Sequence, residues 1–222
     1  MQIGLIGRGR MGQTLAAVAR EKGYIIQTHI GRLTPDSWKK LEEAEIIIDF
    51  SHAEQVPFLV KGCTERGLPL ITGTTGWQAH LSELIAFAER FPSPRWLWGA
   101  NFSRGIALLK AALSTWVPFW SHFSDWEAIL LEIHHRHKKD APSGTAKELA
   151  QAFPFVKEVH SLRVGEVIGE HRLILSASGE EVELLHRAFD RRIFAEGALW
   201  AAVWLLRQKK FVGSFETALS LR

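Results

Sequence analysis

Short apolar runs alternate with stretches of helical periodicity over the first hundred residues of the chain. Between Met11 and Lys22, for example, apolar residues recur at the spacing of one helix face, and Gly23 closes the segment. The run Ile46-Ile47-Ile48 is apolar on both faces of a strand, as in a buried parallel sheet. The predicted strands lie at about 2–6, 24–30, 45–50, 68–72 and 96–98, and the helices at about 11–22, 34–43, 53–66 and 77–90. This alternation predicts a Rossmann-like, doubly wound parallel α/β sheet.

The pattern changes after Ser103. A long apolar helix pattern covers 106–120, a strand pattern covers 127–133, and a second helix pattern covers 143–153. Three strand patterns follow without an intervening helix, at about 158–165, 171–177 and 181–186. We therefore expect a second α+β domain with a mixed or antiparallel sheet, over residues 104–191. A last amphipathic helix at 194–208 is expected to return to the first domain, which would then comprise residues 1–103 and 192–222.

The composition narrows the possible functions. The 222 residues carry a net charge of +3 with histidines neutral, and they contain no separate run of Lys and Arg, so nucleic-acid binding is not predicted. Cys63 is the only cysteine, which excludes an intramolecular disulfide and favours a reducing compartment. No apolar run approaches the roughly 20 residues of a membrane span, and no signal segment is visible. We expect a cytoplasmic protein without a membrane partner.

A glycine-rich turn links the first predicted strand to the first predicted helix. Its sequence, Gly7-Arg8-Gly9-Arg10-Met11-Gly12, contains a G-x-G-x-x-G pattern. Gly7 permits a tight turn, Gly9 lets the backbone approach a pyrophosphate, and Gly12 lets the helix pack closely on the strand. Because the phosphates would meet the free amides of a helix N-terminus, residues 7–12 are predicted to bind a dinucleotide. The alternative is a simple strand-to-helix turn.

The end of the second strand bears on which dinucleotide is bound. A cofactor without a 2′-phosphate is usually held there by an Asp or Glu on the ribose hydroxyls, but this chain has Gly31-Arg32. The guanidinium of Arg32 suits a 2′-phosphate, which favours NADPH. The alternative is that Arg32 is a surface residue and that NADH is also used.

A crowd of ionisable side chains lies between Glu132 and Thr145. The segment Glu132-Ile133-His134-His135-Arg136-His137-Lys138-Lys139-Asp140-Ala141-Pro142-Ser143-Gly144-Thr145 contains three histidines and three cations within six positions. Like charges repel, so this arrangement indicates a negatively charged ligand, and the histidines add proton carriers near neutral pH. The Pro-Ser-Gly-Thr turn offers backbone amides at a helix start. The alternative is a solvated basic loop, and the spacing leaves open which histidine is the acid.

Other polar residues are given structural roles. A metal site is not predicted, because the cations of this segment would repel a divalent ion. Asp49 is expected to cap a helix or close a loop, and Asp140 to orient its own loop or pair with a lysine. His171 and His186 lie on strand patterns and are expected to be hydrogen-bonded residues of the sheet rather than ligands.

Taken with these motifs, the chain resembles the 4-hydroxy-tetrahydrodipicolinate reductase family, also called dihydrodipicolinate reductases. The resemblance runs nearly end to end through Gly9-Arg10-Met11-Gly12, Asp49-Phe50-Ser51, Gly73 to Gly76, Asn101-Phe102-Ser103 and, above all, Glu132 to Thr145. The chain departs from the family pattern in a glycine loop that is one residue shorter, in Gly31 where many members have an acidic residue, and in Ala100 where a proline is common.

The resemblance implies a function and a set of site residues. The function is NAD(P)H-dependent reduction of a small cyclic dicarboxylate in the diaminopimelate route to lysine, by a homotetramer that associates through the sheet of the second domain. His134 would be the general acid and Lys138 its catalytic partner. The substrate carboxylates would be held by His135, Lys138, Ser143, Gly144 and Thr145. The cofactor would be lined by Gly7, Gly12, Gly73, Thr74, Thr75, Gly99, Ala100, Asn101 and Phe102.

Two other functions remain open at this stage. One is a different oxidoreductase of the same architecture, such as an amino-acid dehydrogenase acting on aspartate. The other is a non-catalytic NADPH-binding sensor. The presence of both His134 and Lys138 argues against a sensor, because a sensor has no need of a proton donor.

Overall fold

The computed structural model describes residues 1–120 and 122–221, and the chain divides into two compact units. Unit 1 comprises Met1–Phe102 and the chain from Arg192 onward, and unit 2 comprises Ser103–Arg191. The strands are β1 (Gln2–Ile6), β2 (Ile25–Ile30), β3 (Ile46–Asp49), β4 (Leu70–Thr72), β5 (Arg95–Trp98), β6 (Glu127–His134), β7 (Val156–Arg163), β8 (Gly169–Ala177), β9 (Glu180–Ala188) and β10 (Phe211–Ser214). The α-helices are α1 (Arg10–Glu21), α2 (Ser37–Leu41), α3 (Val56–Glu65), α4 (Leu81–Ala88), α5 (Arg104–Trp120), α6 (Gly144–Ala152), α7 (Arg192–Leu206) and α8 (Phe215–Ser220).

Unit 1 is built on a six-stranded sheet in the order β10-β5-β4-β3-β1-β2, and all its strand pairs are parallel. The predicted doubly wound sheet is therefore confirmed. The strand order reverses at β1, which has β2 on one side and β3 on the other. Such sheets bind ligands beyond the carboxyl ends of their strands at this reversal. The sequence places the glycine loop there.

The edge strand β10 and the helix α8 were not predicted. β10 pairs with β5, with Val212 opposite Trp96. Its four residues include Gly213 and show no alternation of apolar and polar positions, so the local pattern gave no signal. Only the pairing with β5, which is remote in sequence, identifies this segment as a strand.

Small residues allow α7 to lie close against the rest of unit 1. The helix packs on α1 and on the strands β3, β4 and β5, and its alanines at 195, 198, 201 and 202 are buried. At Gly197 the approach is closest, because a Cβ there would come within 1.8 Å of the Phe102 carbonyl oxygen. The small-residue face seen in the sequence is thus the packing surface of this helix.

Unit 2 contains a four-stranded mixed sheet in the order β7-β6-β8-β9. β6 pairs in parallel with β7 and antiparallel with β8, and β8 pairs antiparallel with β9, as predicted for the second domain. Apolar residues of α5 and α6 cover one face of the sheet, including Ile106, Leu113 and Leu149. None of the helices in the described ranges is long and apolar enough to span a membrane.

On the face of the central strand β6 that α5 and α6 cover, the buried side chains change from apolar to ionisable along the strand. Side chains alternate between the two faces of a strand, and the buried ones on β6 are Ala128, Leu130, Glu132 and His134. The first two belong to the apolar core of unit 2. The last two are ionisable, so β6 delivers a carboxylate and an imidazole into the buried end of the same face.

Candidate active site

The glycine loop after β1 is shaped by two close approaches. Gly7 has a φ of +107°, which favours glycine, and its amide donates to the Ile30 carbonyl at 2.8 Å. A Cβ at Gly12 would lie 1.9 Å from the Gly7 carbonyl oxygen, whereas a Cβ at Gly9 would meet no atom within 4 Å. Gly7 and Gly12 therefore form the turn, and Gly9 leaves open space in front of it. The half-buried Met11 and the exposed Arg10 begin α1, whose first-turn amides have no partner within the helix.

Two arginines flank the end of β2. Arg8 is exposed, and its Nη2 donates to the His29 carbonyl at 2.9 Å. Its Cδ would lie 3.6 Å from a Cβ at Gly31, so the Arg8 side chain covers the position at which an acidic side chain would hold the ribose. Arg32 pairs with Glu54, but both side chains are about two-thirds exposed. Exposed ion pairs contribute little energy, so this pair can be exchanged for another anion.

Three further loops follow β3, β4 and β5, the strands on the other side of β1 from β2. Phe50 and Ser51 follow β3, residues 73–75 follow β4, and residues 99–102 follow β5. The Gly73 amide donates to the Asp49 carbonyl, and the Ser51 amide donates to the hydroxyl of the buried Thr74 at 2.7 Å. These bonds tie the loops after β3 and β4 together. The structure therefore places the loops of all the predicted cofactor residues at one edge of the sheet.

The side chains in these loops are not equally placed to meet a ligand. Thr75 is exposed, Ala100 and Asn101 are half-buried, and Gly99 is buried. Phe102 is only 2% exposed and packs between Phe50 and Phe215, with ring centroids 6.1 and 4.9 Å away. Its ring belongs to the core of unit 1. A contact of Phe102 with a cofactor would therefore be made by its backbone.

Asp49 is the last residue of β3 and holds the loop that follows this strand. The residue is fully buried, and its Oδ1 accepts from the Ser51 amide at 3.0 Å and from the Ser51 hydroxyl. Burial raises the pKa of the Asp49 carboxyl to about 6, against hydrogen bonds from Ser51 and Thr74 that lower it. These contacts match the loop-closing role expected from the sequence.

Replacing Asp49 with asparagine is expected to change how stability depends on pH. The folded protein holds the Asp49 proton more tightly than the unfolded chain, so ionisation above about pH 4 opposes folding until the pH passes about 6. Relative to Asp49→Asn, wild type should lose about 3 kcal/mol of unfolding free energy between about pH 4 and pH 7. Urea titrations measure this, with the exposed Asp36→Asn as control. If the unfolding free energies of wild type and Asp49→Asn changed with pH in the same way, the raised pKa of the buried Asp49 carboxyl would be contradicted.

In unit 2, Glu132 and His134 form a buried pair at the end of β6. Glu132 is fully buried, and His134 is 8% exposed. One carboxylate oxygen, Oε2, lies 2.7 Å from Nδ1 of His134. The other, Oε1, accepts from the Ser143 amide at 3.0 Å, from the Ser161 hydroxyl at 2.7 Å and from Nη2 of Arg163 at 2.8 Å.

The surroundings keep Glu132 ionised. Burial raises the pKa of the Glu132 carboxyl, but the close contact with His134 and the hydrogen bonds from Ser143, Arg163 and Ser161 outweigh burial and hold the pKa well below its usual range. A carboxylate is therefore present beside the imidazole throughout the neutral pH range.

Lys138 is held in the loop that follows β6. Its amide donates to the His135 carbonyl, and its Nζ donates to both oxygens of Asp140, at 2.8 and 3.0 Å. Burial raises the pKa of Asp140, but hydrogen bonds from Lys138 and from the backbone of Asp140 and Gly144 lower it overall. The Lys138 ammonium and the turn backbone thus already bind one carboxylate. This pairing agrees with the role expected for Asp140.

Of the predicted anion-binding residues, Ser143 is already engaged in the fold. Its amide donates to Glu132, and its hydroxyl accepts from the Ala146 amide at 3.1 Å as the N-cap of α6. Ser143 is 2% exposed, so it positions the turn more directly than it can contact a ligand. Gly144 is exposed and Thr145 is half-buried. His135 is half-buried, whereas Arg136, His137 and Lys139 are exposed.

His171 and His186 belong to the same cluster as His134. His171 lies opposite Glu132 across β6 and β8, and His186 lies opposite His171 across β8 and β9. The rings of His134 and His171 meet edge to face with centroids 5.2 Å apart. Burial, followed by the charge of His134, lowers the pKa of His171 to about 3. His171 is therefore neutral.

Each of these two histidines is hydrogen-bonded through one ring nitrogen, in line with the expectation from the sequence. Ser143 and Ser103 face the Nε2 atoms of His171 and His186, but both Nδ1 atoms are buried without a hydrogen-bond partner among the described residues. The sequence analysis missed the place of these histidines in the site. They lie beside Glu132 because β6, β8 and β9 pair with one another, and local periodicity does not reveal which strands pair.

Glu132, His134 and His171 also have the donor atoms of a possible metal site. One ligand atom from each lies within 4.8 Å of the others. However, Oε1 of Glu132 accepts three hydrogen bonds, one from a guanidinium, and Oε2 faces the His134 ring. Replacing these donors with a cation beside Arg163 and Lys138 would be opposed by charge. The geometry favours an acid–base cluster, and the absence of a metal stays a prediction.

Together, the dinucleotide-type loop of unit 1 and the acid–base cluster of unit 2 are typical of two-domain, nicotinamide-dependent oxidoreductases. The chain belongs to the dihydrodipicolinate reductase family. Two family models, described as "Dihydrodipicolinate reductase, N-terminus" and "Dihydrodipicolinate reductase, C-terminus", match residues 1–102 and 105–219.

Individual relatives agree over nearly the full length. A protein named 4-hydroxy-tetrahydrodipicolinate reductase from Bdellovibrio bacteriovorus is 34% identical over 218 residues, covering 94% of this chain and 92% of the relative. Its namesake from Thermosipho africanus is 33% identical over 224 residues, covering 97% and 96%.

Solved structures agree on the fold. A dipicolinate-bound dihydrodipicolinate reductase from Paenisporosarcina sp. TG-14 has a TM-score of 0.78 at 19% identity and covers 98% of both chains. An aspartate dehydrogenase from Thermotoga maritima has a TM-score of 0.57 at 12% identity and covers 96% of this chain and 99% of its own. At these identities the likeness concerns the fold alone.

Proposed function

We propose that this protein reduces 4-hydroxy-tetrahydrodipicolinate to tetrahydrodipicolinate with NAD(P)H, in the diaminopimelate route to lysine. The buried Glu132–His134 pair beside Lys138 is the observation that carries this proposal, because it offers a proton donor next to a cation that binds carboxylates. The family and the names of the relatives supply the substrate class.

The residues of unit 2 account for the demands of the reaction. Loss of the 4-hydroxyl group and a ring hydrogen as water gives a conjugated ring, and the cofactor, when bound, supplies a hydride to this ring. Negative charge then develops towards the ring nitrogen, and His134 donates the proton that neutralises it. Lys138 and the turn that begins with Ser143-Gly144-Thr145 hold the carboxylates, with His135 at the edge of the same loop.

The contacts of Asp140 support the assignment of a carboxylate site. Lys138 Nζ bonds both Asp140 oxygens, and the Gly144 backbone also hydrogen-bonds this carboxylate. A substrate carboxylate has the same charge and shape as the Asp140 side chain. It can therefore take the place of Asp140 on the Lys138 ammonium.

A substrate panel tests the proposed function against its alternatives. The product of dihydrodipicolinate synthase should support rapid oxidation of NAD(P)H, whereas L-aspartate with oxidised cofactor should give no reduction. Turnover with aspartate alone would favour an amino-acid dehydrogenase. Tight NADPH binding without turnover of either substrate would favour a non-catalytic sensor.

The cofactor is proposed to be NADPH by preference, with NADH also accepted. Arg32 is exposed and its partner Glu54 is equally exposed, so a 2′-phosphate can displace the carboxylate from the guanidinium. Arg8 lies over Gly31, which adds a second positive charge where relatives of the fold often place an acid. Residues 7–12, 73–75 and 99–102 would line the remainder of the cofactor.

Arg32→Ala is expected to lower the ratio of kcat/KM for NADPH over NADH by about tenfold, as for the loss of one charge-assisted phosphate contact. Steady-state kinetics with each cofactor measures the ratio. Arg90→Ala, which removes an equal charge after α4, is the matched control. An unchanged ratio in Arg32→Ala would show that Arg32 does not read the phosphate.

A cytoplasmic homotetramer is the proposed working form. The face of the second sheet opposite α5 and α6 carries half-buried Ile129, Leu131 and Ile133, with Leu162 and Leu185 nearly half exposed. An apolar sheet face of this kind is a natural interface between copies of the chain. Sedimentation equilibrium measures the mass, and a monomer at micromolar concentration would contradict the tetramer.

A further inference from the structure

The position of Glu132 is fixed by the geometry of β6. It lies two residues before His134, so the two side chains project from the same face of the strand. The Glu132 side chain is fully buried, in a face that is otherwise lined by Ala128 and Leu130. An ionised carboxylate in such a place is costly unless every lone pair is used. The contacts of the Glu132 carboxylate therefore indicate its role in the site.

The two oxygens of Glu132 have different partners. Oε1 accepts from the Ser143 amide, the Ser161 hydroxyl and the Arg163 guanidinium. Oε2 faces Nδ1 of His134 at 2.7 Å. Neither atom makes an aligned hydrogen bond among the described residues, so the contact is electrostatic. A carboxylate oxygen is attracted to a ring nitrogen at this distance only if that nitrogen carries a proton, because two lone pairs would repel each other. Because the carboxylate is ionised, that proton belongs to Nδ1 of the imidazole.

We propose that Glu132 is the positioning residue of the acid–base site: it holds His134 in the Nδ1–H tautomer and stabilises the doubly protonated ring, so that Nε2 is the nitrogen that transfers the proton. This is the general logic by which a buried carboxylate orients a histidine. The identity of the reaction rests on the proposed function, but the tautomer is a property of the free protein.

Glu132 also links the proton donor to the carboxylate-binding turn. The same carboxylate that faces His134 accepts the amide of Ser143, the N-cap of α6. A shift of Glu132 would therefore move the ring and the turn together. Loss of Glu132 is expected to impair the relative placement of proton and substrate, and not only the protonation of His134.

The other charged and titratable groups around His134 do not replace Glu132. From β8, His171 meets the ring edge to face and is neutral. From β9, His186 lies beyond His171, and burial lowers its pKa. From β7, Arg163 is bonded to Glu132, and in the following loop Lys138 is bonded to Asp140. Near Nε2 the structure places the backbone of Gly169, because a Cβ there would lie 3.2 Å away.

Glu132→Gln separates this role from a merely structural one. The variant keeps the shape of the side chain, and the three donors around Oε1 require an acceptor, so the amide oxygen should stay on that side. The amide NH2 group then faces His134, and Nδ1 must accept a hydrogen bond from it. The neutral ring should switch to the Nε2–H tautomer, and the doubly protonated ring should be destabilised.

The first measurement is long-range ¹H–¹⁵N correlation NMR of histidine-labelled free protein, at a pH where the His134 ring is neutral. Wild type and the control Ser161→Ala, which removes one Oε1 bond but leaves the Oε2 contact, are expected to show Nδ1–H. Glu132→Gln is expected to show Nε2–H. An Nε2–H tautomer in wild type overturns the proposal, even if the variant does not fold.

The second measurement is the pH profile of kcat. The alkaline limb, where the general acid loses its proton, should move to lower pH by about one to three units in Glu132→Gln. It should stay in place in Ser161→Ala. A reduced kcat with an unmoved limb would make Glu132 structural and overturn the proposal. Nδ1–H in wild type without turnover of any substrate would instead contradict the proposed function and leave the role of Glu132 standing.

Discussion

His134→Gln is expected to lower kcat by about a hundredfold or more, in the range of a general acid's contribution. Glutamine keeps a polar side chain at the end of β6, but it cannot release a proton near neutral pH. Steady-state kinetics with synthase-generated substrate measures the loss, and KM for the cofactor should stay close to wild type because the glycine loop belongs to unit 1.

The control for this variant is His137→Gln in the same loop. The His137 side chain is 62% exposed, and its contact with the carboxylate of Glu166 is long, at 3.9 Å, so its loss should leave kcat near wild type. Lys138→Met should also reduce kcat about a hundredfold and raise KM for the dicarboxylate, because it removes a charge that binds carboxylates. Near-normal turnover in His134→Gln or Lys138→Met would exclude that residue from the proposed chemistry.

Gly12→Ala is expected to disrupt the cofactor site and the fold around it. The added Cβ would lie 1.9 Å from the Gly7 carbonyl oxygen, so the loop and α1 must separate. Overpacking of this kind costs about 1–3 kcal/mol and sometimes more. Urea unfolding should show the lost stability, and fluorescence titration should show greatly weakened NADPH binding.

Gly9→Ala is the matched comparison. A Cβ at Gly9 meets no atom within 4 Å, so the stability of the protein should be unchanged. Its methyl group would occupy the open space into which a pyrophosphate is expected to fit, so NADPH binding alone should weaken. If Gly12→Ala were as stable as wild type and bound NADPH normally, the proposed architecture of the loop would be wrong.

The sequence was sufficient to predict most of the fold because its signals are local. The run of three isoleucines and the helical spacing between Met11 and Lys22 each follow from one segment, and the structure contains β3 and α1 there. The strand β10 has no such local signal. It becomes a strand because β5 offers a free edge, which is a property of the tertiary structure.

In the candidate site, too, only the features with a local sequence signal could be predicted. The cationic segment could be recognised because its charges are adjacent in sequence, and the resemblance to a family assigned His134 and Lys138. The roles of Glu132, His171 and His186 could not be recognised, because antiparallel pairing across β6, β8 and β9 brings them together. The engagement of the Ser143 amide by Glu132 is likewise a long-range contact.

The most direct test of the account is isotope transfer to the product. The protein is incubated with synthase-generated 4-hydroxy-tetrahydrodipicolinate and NADPH deuterated at the transferable position, and the product is analysed by mass spectrometry. The account predicts tetrahydrodipicolinate carrying one deuterium from the cofactor, and much less of it with His134→Gln. Recovery of unreduced substrate, or of product without deuterium, would contradict the proposed reduction.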